Sequence, residues 1–101
     1  MDELYLYLDQ TFEWDRVKAA RNAIKHQVRF PEAASVFFDE RALFEPDLDH
    51  SDEEERYIVL GYSIRERMLL VVHVLRGERI RILSARQATP NERRRYDETG
   101  R

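Results

Sequence analysis

Three apolar segments in close succession, ERYIVLGYS (55–63), RMLLVVHVL (67–75) and ERIRILSAR (78–86), constrain the fold more than anything else in the chain. Each has the length and β-branched content of a strand, and the links between them are too short for a crossover helix. Arg76-Gly77 is a tight-turn signal. Together they predict an antiparallel meander. The middle segment is apolar at both parities and so belongs in mid-sheet with both faces at least partly covered. On the last strand Glu78, Ile80, Ile82, Ser84 and Arg86 share one face, and Arg79, Arg81, Leu83 and Ala85 the other. Inward isoleucines put Arg79 and Arg81 outward. Ser84 and Arg86 keep the core parity unless a β-bulge near the strand's end turns them.

The segments before and after the meander are helical in pattern. Asp15 can N-cap a helix over 16–27, with Val17, Ala20 and Ile24 as its apolar stripe and Lys18, Arg21 and Lys25 on another face. Pro31 suits the first turn of a second short helix that points Ala34, Phe37 and Phe38 inward. A short strand is expected around Ala42 to Phe44. Thr89 and Glu92 form a capping box with Pro90 at the first helical position, which predicts a C-terminal helix to about Tyr96 or Glu98, with Gly100 beyond it. Residues 1–10 alternate Leu4, Leu6 and Leu8 with Tyr5 and Tyr7, as a strand or a loosely attached extension does. The expectation is one compact α+β domain over 1–101: an antiparallel sheet packed against N-terminal helices, with a short C-terminal helix.

Charge is unevenly spread. Residues 1–55 hold 15 acidic and 6 basic side chains, whereas residues 56–101 hold 5 and 11. Opposite-signed halves either attract each other across the fold or present a polyanion surface on one side. Only Lys18 and Lys25 among the 17 basic residues are lysines. Arginine's planar fork suits both bidentate phosphate contacts and partly buried ion pairs. No cysteine, bilayer-length apolar run or secretion signal is present, so a soluble cytoplasmic protein without membrane attachment is expected.

The acidic stretch DLDHSDEEE does not meet the requirements of a calcium loop, because Asp52 stands at the glycine position and Ile58 at the final glutamate. It is expected to be a solvated loop. The histidines at 26, 50 and 73 lack paired zinc spacing, so neither metal nor cofactor is expected. His73 is either a hydrogen-bonded core histidine or a proton donor on an open sheet face near the arginines. His26 either complements the helix dipole or projects toward a substrate. Arg79, Arg81 and Arg86, with Arg93, Arg94 and Arg95, form a candidate polyanion surface.

The fragments FEWDRVKAARNAIKH, VRFPEAASVF, DHSDEEERYIVLGYS, LLVVHV, RIRILSARQAT and ERRRY, in this order from Phe12 to about Tyr96, resemble the BrnT toxins of bacterial type II toxin–antitoxin systems. Residues 1–11 lie outside that pattern. Gln27 stands where the family usually carries glycine, which removes the easy left-handed helix cap. The resemblance implies a fold akin to the RelE group of ribonucleases and a toxin that cleaves RNA to arrest translation and growth. It also implies a BrnA-like antitoxin with a ribbon-helix-helix element, and operator DNA bound only through the antitoxin complex.

Metal-free RNA cleavage needs a base for the ribose 2′-hydroxyl, cations around the phosphate and an acid at the leaving 5′-oxygen. Residue type, strand parity and the family pattern offer Glu78 or His26 as base. They offer Arg67, Arg81 and Arg86 as phosphate clamps and His73 as acid. Lys25 would stabilise charge, Arg79 would extend the phosphate surface, and Ser84 would bond a phosphate or orient an arginine. The alternatives are a catalytically inactive toxin-fold co-repressor and a non-enzymatic nucleic-acid-binding module.

Overall fold

The computed structural model describes residues 1–49 and 54–99. The centre of the acidic loop, with His50, falls outside the described residues, as does Gly100. The elements run β1 (Asp2–Tyr7), β2 (Gln10–Asp15), α1 (Arg16–His26) and α2 (Phe30–Ser35), then a 3-10 turn over Val36–Phe38. They continue with β3 (Leu43–Pro46), β4 (Tyr57–Tyr62), β5 (Met68–Arg76), β6 (Arg79–Gln87) and α3 (Pro90–Thr99). One six-stranded sheet has the order β1-β2-β6-β5-β4-β3.

The meander forms as predicted: β4, β5 and β6 pair antiparallel. Gly77 takes the positive φ of 60° that the tight β5–β6 turn requires. The sheet as a whole is mixed rather than antiparallel, because β2 lies parallel to β6, with Phe12 opposite Ile80 and Glu13 opposite Arg81. The chain leaves β2 through α1 and α2 and returns to its side only after the full meander.

Residues 1–10 are not a loose extension. β1 pairs with β2 along its whole length, and Leu8 and Asp9, both at positive φ, make the two-residue turn between them. Tyr5 and Tyr7 pack against the core, while Leu4, Leu6 and Leu8 stay largely exposed.

One face of the sheet carries the main core. Phe12, Trp14, Val59, Leu69, Val71, Ile82 and Ala85 meet Val28, Phe30, Ala33, Ala34 and Val36 from the α2 region. A second cluster joins Leu60, Met68 and Leu70 to Tyr96 of α3. β5 thus contributes Leu69 and Val71 to one cluster and Met68 and Leu70 to the other, which is why it is apolar at both parities.

The caps follow the expected chemistry. Asp15 accepts from the Lys18 amide at 2.9 Å. The Thr89 amide donates to Glu92 at 2.8 Å, and the Glu92 amide donates to Thr89 Oγ1 at 3.2 Å. Gln27 closes α1 without glycine. It adopts the left-handed conformation itself (φ 55°, ψ 35°), donating its amide to the Ala23 carbonyl and its Nε2 to the Ile24 carbonyl.

Two helix faces differ from expectation. Val17, Ala20 and Ile24 point to solvent, whereas Ala19, Asn22, Ala23 and His26 turn inward. The reason lies in Asn22, whose amide bonds the sheet and rotates a polar residue into the interface. Phe38 is 40% exposed, while Ala34 is buried and Phe37 packs on the core.

Gly61 is needed for close approach rather than for its φ. A Cβ there would stand 2.8 Å from Asp39 Oδ2 and 3.2 Å from the Ala42 methyl. That Asp39 oxygen already accepts the Tyr62 amide at 2.8 Å and the Tyr96 hydroxyl at 2.6 Å. Burial pushes the Asp39 carboxyl up, but these bonds outweigh it and hold its pKa below the usual value. Gly61→Ala is expected to cost ~1–3 kcal/mol by overpacking and by loosening the α3 anchor. Urea unfolding monitored by circular dichroism measures it.

Candidate nucleic-acid site on the open sheet face

A β-bulge decides which side chains reach the open face. Val72 pairs with Ser84 and His73 pairs with Ile82, so Leu83 is an extra residue in β6. Before the bulge Ile80 and Ile82 face the helix-covered core, and after it Ala85 does. Ser84 and Arg86 are thereby switched to the opposite face.

There Leu83, Ser84 and Arg86 join Ile58, Leu70 and Val72 around an open groove of about 600 Å³. Lys18 of α1, Arg56, Asp47, Asp49 and Glu92 complete its lining. An aliphatic floor with cations and carboxylates at the margins suits a ligand having both a flat apolar part and an anionic part.

Arg86 is held within the groove. Its Nη1 and Nη2 donate to the Glu92 carboxylate at 2.8 and 3.0 Å, and Nη1 also reaches the Gln87 carbonyl at 3.2 Å. A guanidinium has five N–H donors, so two remain for a ligand. Burial pushes the Glu92 carboxyl up, yet Arg86 and the Thr89 cap outweigh it and keep its pKa below the usual value. Glu92 therefore stays ionised: it caps α3 and aims Arg86. Lys18 makes no ion pair among the described residues.

The remaining predicted residues do not form one constellation. Glu78 lies in the turn before β6, and Arg79 opens the strand. Eight residue steps separate Glu78 from Arg86, roughly 26 Å at the rise of a strand, so the two cannot touch one phosphate. Arg81 is tightly engaged: Asp2 of β1 accepts from it at 3.0 and 3.1 Å, and Glu13 of β2 at 2.6 Å. Arg79 lies 3.7 Å from the same Glu13. The Asp2 bonds raise the Arg81 pKa.

Arg67 faces the helix side, not the groove. It donates to Glu32 at 2.9 and 2.5 Å and to the Gln27 carbonyl at 3.0 Å. That last contact places the end of α1, with Lys25 and His26, beside the first residues of β5. Lys25 is exposed and His26 half-buried.

His73 lies on the helix-covered side of the sheet, not on the open face. Its ring is 3% exposed, 4.7 Å from the ring of Phe37 on the helix side, with Nδ1 3.3 Å from the Val71 carbonyl. Burial pulls its pKa from 6.5 down to about 4. The folded protein therefore keeps this ring neutral while the unfolded chain takes up a proton as pH falls below 6.5. Stability is expected to drop between pH 6.5 and about 4, by on the order of 3 kcal/mol in total. Chemical denaturation across that range measures the drop, and His73→Phe should remove most of it.

The charge asymmetry is largely absorbed inside the fold. Acidic residues of the first half pair with arginines of the second: Glu32–Arg67, Glu54–Arg76, Glu13 and Asp2 with Arg81, and Glu45–Arg95. Mutual attraction of the halves thus engages Arg67, Arg76, Arg81 and Arg95 of the second half.

Comparison with known proteins joins this geometry to a family. The family described as the ribonuclease toxin, BrnT, of type II toxin-antitoxin system matches residues 14–92. The chain belongs to the BrnT family. The crystal structure of the Brucella abortus ribonuclease toxin BrnT is similar in fold, with a TM-score of 0.60 and 20% identity over 75% of this chain and 92% of that one. No curated protein matches.

The matched BrnT segment contains β6, its bulge and the groove residues, but none of β1. Asp2 and Glu13, the carboxylates that engage Arg81, both lie outside it. Membership of a type II toxin–antitoxin family implies an antitoxin partner. No helix among the described residues is long and apolar enough to cross a membrane. The same residues hold no cluster of three or more His, Cys, Asp or Glu side chains arranged to bind a metal.

Asn22, Glu92, Lys18 and Arg56 are the site residues that strand parity and residue type did not single out as such. The sequence signal for Glu92 is its capping box. Asn22 carries a weaker signal, as a polar residue amid alanines in α1.

Proposed function

We propose that this BrnT-family chain is an endoribonuclease toxin that cuts RNA without a metal ion in the cytoplasm, stopping translation and growth until an antitoxin binds it. The observation that carries the reading is the delivery of Ser84 and Arg86 by the β6 bulge into a groove also lined by Lys18 and Arg56. Lys25 lies two helical turns beyond Lys18, on the same face and about 10 Å further along α1, with Arg21 between them. This ridge extends the groove's cations along an RNA backbone.

In this reading the 2′-oxygen attacks the adjacent phosphorus and the 5′-oxygen leaves, giving a 2′,3′-cyclic phosphate. Arg86 and Lys25 oppose the charge that builds on the phosphoryl oxygens, and Ser84 donates a hydrogen bond to one of them. His26 takes the proton of the 2′-hydroxyl as that oxygen bonds to phosphorus, and solvent water protonates the 5′-oxygen as its bond to phosphorus breaks. A base rests on the aliphatic floor of Leu83, Val72 and Ile58. Glu78, Arg79 and Arg81, at the far end of β6, are left to flanking nucleotides. The antitoxin is a BrnA-like protein with a ribbon-helix-helix element, and operator DNA is contacted through the complex. Kinship with the RelE group of ribonucleases belongs to the same proposal.

The pairing of Arg79 and Arg81 with carboxylates favours one second reading, an inactive co-repressor. A cell-free translation reaction separates the two. Added protein is expected to shorten the messenger before amino-acid incorporation stops. Intact messenger with undiminished incorporation favours the co-repressor.

A further inference from the structure

Asn22 is a buried polar residue that the proposed chemistry does not use. Its side chain makes a two-point bond to one residue of the sheet: Nδ2 donates to the Ala85 carbonyl at 2.8 Å, and Oδ1 accepts from the Ala85 amide at 3.1 Å. The same Nδ2 donates to the Val28 carbonyl at 3.0 Å. Asn22 is 7% exposed. β2 pairs with β6 only at Ile80 and Arg81, so beyond them the edge of β6 has lost its strand neighbour. Asn22 supplies the donor and acceptor that a strand would have offered there.

The position of this contact matters more than its strength. The extra residue Leu83 lies between Ile82 and Ser84, and Ala85 is the first core-facing residue after it. A strand with one extra residue has competing registers. Shifting the bulge toward the C-terminus returns Ser84 to the parity of Ile80 and Ile82 and takes it out of the groove, and a further shift does the same to Arg86. The core-facing Ala85 is fully buried. Gripping both backbone groups of Ala85 holds the bulge at Leu83.

We infer that Asn22 is a positioning residue: by binding the Ala85 backbone it fixes the β6 bulge and so sets Ser84 and Arg86 in the groove. The inference rests on the proposed function only for its consequence in RNA cleavage. The register itself is testable without RNA.

The test uses the full chain as Asn22→Asp, whose carboxylate still accepts from the Ala85 amide but cannot donate to the Ala85 and Val28 carbonyls. Asn22→Ser, smaller and still a donor, is the second variant should the first fail to fold. NMR of the Arg86 guanidinium and the Ala85 amide is compared with wild type, alongside single-turnover cleavage of a labelled single-stranded RNA. The expected result in a folded variant is altered Arg86 signals, faster exchange of the Ala85 amide and at least a tenfold fall in cleavage. Made on an Arg86→Ala background, the Asn22 change should produce little further loss. Unchanged Arg86 and Ala85 signals in a folded variant overturn the inference, whatever the RNA does. Altered signals in a protein whose Arg86→Ala variant cleaves RNA like wild type leave the inference standing and sink the groove as the RNA site.

Discussion

Arg67→Ala is expected to lower stability at pH 7 by ~3–5 kcal/mol, the loss typical when one partner of a buried ion pair is removed. Glu32 has a side chain only 6% exposed, accepting from Arg67 Nε and Nη2 and from the Ser63 hydroxyl at 2.7 Å. Burial pushes its carboxyl up, but the Arg67 and Ser63 bonds outweigh this and hold its pKa below the usual value. In the wild type the pair's stability is present above the unfolded pKa and is lost as pH falls through the folded one. Without Arg67, the burial that pushes the Glu32 carboxyl up is opposed only by Ser63 and Arg65, so its pKa is expected to rise toward or above the unfolded value. The gap between variant and wild type should therefore shrink on going from pH 7 to pH 4. Urea denaturation at the two values measures it. An equal loss at both would show that Arg67 acts by packing rather than through the Glu32 charge.

Arg86→Ala is expected to reduce RNA cleavage by about 10²–10³-fold, the range seen when a donor to a developing oxyanion is lost. The salt dependence of binding should also weaken by about 0.7 in the log–log slope for a single-stranded RNA. Arg86→Lys should not rescue the loss, because an ammonium cannot bond Glu92 and a phosphate through the same planar fork. Glu92→Gln is the opposing control. It keeps a capping side chain for α3, and its amide oxygen can still accept from Arg86, so cleavage should fall far less than in Arg86→Ala. Steady-state and single-turnover rates on one labelled substrate compare the variants directly. Equal losses in Arg86→Ala and Glu92→Gln would mean that the pair matters as a strut rather than as a phosphate contact.

The meander, the two capped helices and the tight turn at Gly77 were legible because each rests on local chemistry: short links, an N-cap, a capping box, a glycine at positive φ. The β2–β6 parallel pairing was not, since it joins residues far apart in the chain and leaves no periodic trace. Nor was the inward face of α1. Hydrophobic periodicity favours Val17 and Ile24, whereas the helix docks through Asn22 because the β6 edge needs hydrogen bonds more than apolar cover. Residues 1–10 showed strand alternation, but only pairing with β2 makes them an edge strand.

For the site, the bulge was the pivotal uncertainty. Strand parity alone put Ser84 and Arg86 inward, and one extra residue at Leu83 sends them to the groove. Arg81 and Arg67 illustrate the opposite limit. Residue type marks an arginine as a phosphate clamp, but only the fold shows the carboxylates of Asp2, Glu13 and Glu32 already occupying it. His73 turned on burial, which a lone histidine in an apolar strand leaves open.

Under the proposed function, RNA is cut in the groove containing Arg86. The most direct measurement is cleavage of an end-labelled RNA in EDTA by the wild-type chain, Arg86→Ala and Arg81→Ala, each shown to be folded. The prediction is cleavage by wild type to products ending in a 2′,3′-cyclic phosphate, most of that rate in Arg81→Ala, and nearly none in Arg86→Ala. Cleavage by Arg86→Ala at the wild-type rate would contradict it.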